Sequence, residues 1–383
     1  MGLWAFALVA PLGVVGLHGF GPAHAAAQGL PAEVVSALSL SAEQRAQVEA
    51  FAAPLRDALS SGEARRVVDA RAAALETLAS PSVSVAYRLE LSRVLMPALT
   101  SLMQTPGAQG ADALGSINAV ILAGELATEQ STSLVTQALA LNDRADMRYQ
   151  AAMALRRTFE AAQRSAPALQ PQRAADLVRA IDDRMKVERD PLVKDALIRA
   201  GLAAGELRVE GFRDASFRAI EVVARGASGA LRERGATPLD DATGDAMIRA
   251  AGGVRDALTA AGQGVRIPES VGRAAAELGG DLIAHSVRAV EAQHLAPQAV
   301  ESDPARRERY AQAAQLGETL VLLSGSALSP GSQVAAKNLG QSLRTATVAS
   351  DATFALDARA MVGPDGALSK PPFGFERARF LPR

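Results

Sequence analysis

The residues that could carry chemistry are few and far apart. Of four histidines, His18 and His24 lie in an apolar N-terminal stretch, which leaves His285 and His294. Their spacing of nine misses the i,i+4 arrangement that puts two metal ligands on one helical face. His285 stands between Leu282-Ile283 and Ser286-Val287, where a solvated flank is the expectation. The paired carboxylates are Asp182-Asp183 and Asp240-Asp241. Neighbours on a helix point roughly 100° apart, so neither pair converges on one substrate atom by itself. Asp240 and Asp241 fit the first turn of a helix, where carboxylates meet the positive end of the dipole. Asp182 and Asp183 sit among Arg179, Arg184 and Lys186, a solvated mixed-charge face. The chain has no cysteine, and we find no phosphate-binding G-x-x-x-x-G-K-[ST], no G-x-S-x-G, no H-E-x-x-H and no dinucleotide fingerprint. Tyr87, Tyr149 and Tyr310 are the only tyrosines and the single Trp is Trp4, so aromatic platforms for sugars or nucleobases are not expected outside the C-terminal tail. The sequence therefore nominates no catalytic, cofactor-binding or metal-binding residue.

Charge and composition narrow the partners. Forty Lys and Arg against 41 Asp and Glu leave no field to draw in nucleic acid or an anionic membrane. Only Lys186, Lys194, Lys337 and Lys370 are lysines; with the abundant Ala, this Arg bias is most simply that of a GC-rich bacterial genome. The chain opens MGLWAFALVAPLGVVGLHGFGPAHAAAQG, with an apolar core from Leu3 to Leu17 and small residues around Ala23-His24-Ala25 and Ala25-Ala26-Ala27. That is the layout of a secretory signal peptide over residues 1–27, although the Lys or Arg that usually precedes the core is absent. The expected location is extracytoplasmic, periplasmic or secreted, with no stable membrane insertion after cleavage. The alternative is an uncleaved N-terminal anchor, which Pro11, Pro22 and the glycines disfavour.

The elements that must position any site are helices. Apolar residues recur at helical spacing nearly throughout, as in Ala174, Leu177, Val178, Ile181 and Met185. Asp190-Pro191, Asp303-Pro304 and Ser329-Pro330 each place a capping residue before a Pro suited to a first helical turn, and Ser41 with Gln44 has capping-box spacing. The pattern predicts helices over 42–59, 62–79, 83–103, 111–126, 131–141, 144–163, 171–187, 190–204, 208–230, 242–262, 268–293, 305–326 and 331–346. Pro54 and Pro97 fall inside two of these and should kink or split them.

From about residue 111 the helices pair, a longer with a shorter. Met147 to Leu155, MRYQAAMAL, resembles the first helix of a HEAT repeat, and Asp190-Pro191-x-Val193-Lys194 resembles the other half of that pattern. The two copies stand 46 residues apart, within the HEAT/armadillo range. They depart from the pattern in detail, since the first lacks its Pro and the second has Ala196-Leu197 one position early. The resemblance is clearest over 144–230. It implies an all-α fold, an α-solenoid of stacked helical hairpins, with an irregular helical bundle as the alternative. Arg148 and Lys194 would then sit near the next repeat's acidic turn and help fix register. The expected organisation is a helical segment over 28–110, HEAT-like repeats over 111–240, a Gly-rich helical segment over 241–349 that continues the array, and a tail over 350–383.

From Ser350 onward helical periodicity fades, and Gly363-Pro364-Asp365-Gly366 marks a turn that could join a small hairpin. Phe373, Phe375, Arg377, Arg379 and Phe380 make an aromatic and basic segment suited to a groove, either this chain's own last helices or a partner's. Resemblance to HEAT arrays implies a protein partner, and Arg179, Arg184, Arg213, Arg218 and Arg225, set among acids, are the candidate contacts on the helices. The expected function is thus a protein-binding scaffold. The alternatives are a structural envelope component or a hydrolase with dispersed carboxylates.

Overall fold

The computed structural model describes residues 30–61, 63–104, 111–164, 168–261, 265–301, 303–331, 334–345 and 347–381. The signal-peptide reading of residues 1–27 lies outside them. Among the described residues the protein is all-α, with sixteen helices and no strand. No helix among them is long and apolar enough to cross a membrane.

The helices fall into two series by their neighbours. In one, α3 (Ala64–Leu78), α5 (Ala111–Leu126), α7 (Ala145–Arg164), α9 (Pro191–Gly205), α11 (Asp241–Ala261) and α14 (Arg306–Leu328) each pack on the next. In the other, α2 (Ala42–Ser60), α4 (Val85–Gln104), α6 (Glu129–Ala140), α8 (Pro171–Val187), α10 (Arg213–Arg234), α12 (Glu269–Glu291) and α16 (Val348–Val362) do the same. Sequential helices join the two series, as α2 does with α3 and α9 with α10. Short α1 (Ala32–Ser36), α13 (Pro297–Glu301) and α15 (Leu339–Arg344) fill in. One hydrophobic core runs from Val34 to Leu381, so the Gly-rich helices share it with those before them.

Local chemistry starts these helices where the sequence places it. Ser41 and Gln44 close a reciprocal capping box at 2.9 and 3.2 Å. Asp190 accepts from the N–H groups of Leu192 and Val193, with Pro191 at the first helical position of α9. The other two Asp/Ser-Pro signals act differently. Asp303 takes Arg306 and Arg309 as partners, and α14 starts after Ala305. Ser329 ends α14, its N–H donating to the Gly325 carbonyl. Pro54 and Pro97 split neither α2 nor α4. Both face water, as do Ala50 and Arg93 four residues earlier, so each carbonyl a proline leaves unbonded lies on the hydrated side.

The C-terminal end departs most from the sequence-based expectation. The predicted 331–346 helix shrinks to α15, because Glu318 of α14 turns its buried carboxylate onto the N–H groups of Lys337, Asn338 and Leu339 and holds that approach non-helical. In place of a hairpin, 348–362 forms α16. A Thr347/Ser350 capping box starts it, and Phe354, Ala358, Met361 and Val362 bury one face. Only 363–381 is irregular, turning through Gly363 to Gly366 into a short 3-10 turn at Ala367–Ser369.

Helix α12 is buried along most of its length, against α10, α11, α14 and α16. Its closest neighbour is α14, at a reciprocal glycine crossing: a Cβ at Gly279 would stand 2.6 Å from the Gly317 carbonyl oxygen, and one at Gly317 would stand 2.8 Å from that of Gly279. A methyl group cannot enter without parting the two backbones. Gly279→Ala is expected to lower stability by about 1–3 kcal/mol in guanidinium denaturation through overpacking. Gly252→Ala, in the interior of α11 with open space at its Cβ, should raise it by about 0.5–1 kcal/mol.

Candidate functional site

His285 is 2% exposed, and no solvated flank surrounds it. Its Nδ1 lies 3.1 Å from the Gly235 carbonyl and its Nε2 3.3 Å from the Tyr310 hydroxyl, whose oxygen accepts the Leu239 N–H at 3.0 Å. A carbonyl can only accept, so Nδ1 carries the proton and Nε2 accepts from Tyr310. The two rings stack with centroids 5.8 Å apart. Burial, reinforced by the Arg288 charge, pushes the imidazole down to about 4. With Arg288 Nε and His294 Nε2 on the carbonyls of Gly235 and Ala236, the group clamps the turn between α10 and α11. That is a structural role. The periodicity around His285 gave no sign of it, because α12 is apolar on more than one face.

The paired carboxylates are engaged in ion pairs and a helix cap. Asp182 bonds Lys186 and Arg218, and Asp183 bonds Lys186. Asp240 accepts the Thr243 N–H at 2.7 Å in the first turn of α11, and Asp241 pairs with Arg309. No cluster of three metal-binding side chains occurs among the described residues.

Glu188, a residue the sequence did not single out, organises the best-defined ionic centre. It receives Arg148 at 2.8 and 3.1 Å, Arg184 at 2.8 Å, and the N–H groups of Arg189 and Asp190 at 3.0 Å. Burial works against its charge, but these five donors outweigh it and hold the carboxyl at about 2. Arg148 also donates to the Leu141 and Asn142 carbonyls just past α6. Arg184, a candidate partner contact, is thereby half-buried and held in an internal pairing. Arg148 reaches an acid 40 residues on and Lys194 reaches Glu233 39 residues on.

The tail docks on its own chain. Phe373 is fully buried against Gly325, and Phe380 packs over Gly280, where a Cβ would stand 2.5 Å from the ring. Arg379 pairs with Asp281 and Glu277, and Arg288 donates to the Phe380 carbonyl. Burial raises the Asp281 carboxyl, against the lowering pull of Arg379 and Ser228. Phe375 is half-buried under the Arg273 guanidinium, and Arg377 is exposed. Phe373, Arg379 and Phe380 are therefore spent inside the molecule.

Arg179, Arg213, Arg218 and Arg225 remain exposed on α8 and α10. Arg218 links Asp182 to Glu221, and Arg225 also reaches Glu221. Beside them, between the loop 206–212 and the first turns of α10, opens a cleft of about 680 Å³ lined by Leu207, Arg208, Val209, Glu210, Arg213 and Phe217. Of these only Arg213 was a sequence candidate; a loop wall has no periodicity to betray it. Comparison with protein-family models, with curated proteins and with solved structures returns no match for this chain.

The pH response follows from His285 and Glu188. The neutral imidazole is favoured in the fold, so its stabilisation is present above the unfolded value near 6.5 and is lost as pH falls toward 4. Glu188 contributes above its ordinary value of 4.5 and loses that contribution as pH falls through about 2. Guanidinium midpoints measured from pH 7 to 4 should decline more steeply for the native protein than for His285→Gln. The integrated difference should be roughly 3 kcal/mol, and parallel slopes would remove His285 from the acid response.

Proposed function

We propose that the protein is an exported protein-binding scaffold, an α-solenoid of HEAT-like hairpins that presents its α8 and α10 surface to a partner. The carrying observation is the neighbour pattern: alternate helices pack in two parallel series from α2 to α16, the connectivity that stacked hairpins require. The recurrence of a basic residue bonded to an acid about one repeat further on, Arg148 to Glu188 and Lys194 to Glu233, supports the same reading. Arg179, Arg213, Arg218 and Arg225 face outward there, while His285, Asp182 and Asp241 bond residues of other elements. The apolar N-terminal stretch supports export.

The scarcity of lysine makes the test direct. Mature protein is incubated with envelope extract, treated with an amine-reactive cross-linker and digested for mass spectrometry. A partner joined through the exposed Lys186 of α8 is the expected outcome. No partner above background, or links confined to Lys337 and Lys370, contradicts the scaffold surface named here.

A further inference from the structure

The cleft at the start of α10 is built on fixed walls. The Arg208 N–H donates to Gln163 Oε1 at 2.9 Å, tying the 206–212 loop to the end of α7. Ser216 Oγ donates to the Gly205 carbonyl at 2.6 Å, tying α10 to the end of α9. Gly211, at φ +83°, makes the bend between them, and a Cβ there would meet the Pro171 ring at 3.3 Å. The loop is thus pressed onto α8, and little ordering remains to oppose a ligand.

What faces into this cleft differs from what lines a second one. That second cleft, of about 500 Å³ between α14 and α15, satisfies its own charges: Glu318 takes three backbone N–H groups, and Arg344 is held by Glu308 and Gln315. In the α10 cleft the Arg208 and Arg213 side chains have no hydrogen-bond or ion-pair partner among the described residues. Glu210 is the only carboxylate in its lining, against the two guanidinium groups, with Glu206 and Asp214 next in the chain outside it. Half-buried Phe217 and Val209 supply apolar wall and pack on the core from behind.

We infer that this cleft receives an acidic segment of the protein partner, with a side-chain carboxylate between Arg208 and Arg213 and an adjacent apolar side chain against Phe217 and Val209. Arg forks match carboxylate geometry, and a guanidinium free of internal partners gives up no existing bond on engaging one. The inference rests on the scaffold reading and adds the chemistry of the partner.

Three fluorescein-labelled twelve-residue peptides test it by fluorescence anisotropy on the whole protein: Glu and Asp alternating with Phe and Leu, the same peptide with Lys in place of the acids, and the acidic peptide with Gly and Ser in place of Phe and Leu. The first is expected to bind in a salt-sensitive way and to lose at least tenfold in affinity with Arg208→Glu/Arg213→Glu. Phe217→Ala, which keeps the charges, should weaken it about fivefold, and the other two peptides should bind at least tenfold more weakly than the first. Absence of binding, equal binding of both acidic peptides, or affinity unchanged by Arg208→Glu/Arg213→Glu overturns the inference. A partner cross-linked at Lys186 but retained by the double variant would overturn it while leaving the scaffold reading in place.

Discussion

The stack depends on buried and half-buried guanidinium groups that reach the ends of neighbouring helices. The last turn of a helix leaves four carbonyls without partners inside it, and packing helices end to side buries some of them. Here Arg88 donates to the Glu125 and Leu126 carbonyls at the end of α5, and Arg148 to those of Leu141 and Asn142 after α6. Arg288 donates to that of Gly235 after α10, and Arg307 to those of Leu343 and Leu295. One guanidinium presents five donors in a planar fork, enough to serve a carbonyl and a carboxylate together, as Arg148 does. An ammonium cannot span the same positions. This gives the preference for Arg over Lys a structural use whatever its genomic origin. The contact has a cost, visible at Arg88, where burial brings the guanidinium down to about 10.

Helix α12 shows the same constraint from the other side. Surrounded by α10, α11, α14 and α16, it has almost no face left for water, so each polar side chain on it needs a partner inside the protein. His285 finds Gly235 and Tyr310, Ser286 its own helix, and Asp281 the Ser228 hydroxyl and Arg379. The last of these comes from the tail. Phe380 fills the space over Gly280 while Arg379 neutralises Asp281, so the irregular C-terminal segment completes a core that the helices alone leave open. Glycine at 279 and 317 brings α12 and α14 close enough for this arrangement, at the expense of helical propensity.

Much of this was legible in the chain. Capping chemistry at Ser41 and Asp190 and the 3.6-residue period of α8 place those helices within a residue or two of where they stand. Arg148 and Lys194 read as register residues, and both bond acids about forty positions later. What escaped was set by distant partners. Arg184 and Arg218 read alike as basic residues among acids, yet Arg184 is half-buried between Glu188 and Asn142 of the turn after α6, while Arg218 is exposed. The α16 helix was hidden by its flanking Gly-Pro turn, although Thr347-x-x-Ser350 and the spacing of Phe354, Ala358 and Met361 carried the signal. The α10 cleft left almost none, since its walls come from a loop and from residues facing different elements.

If guanidinium geometry rather than positive charge holds the helix ends, Arg148→Lys should be poorly tolerated. The ammonium keeps the charge beside Glu188 but cannot also reach the Leu141 and Asn142 carbonyls. Equilibrium guanidinium denaturation at neutral pH is predicted to show a loss of about 2–4 kcal/mol, the range for breaking buried charged hydrogen bonds. A loss within about 0.5 kcal/mol, the level of an ordinary surface substitution, would contradict the account.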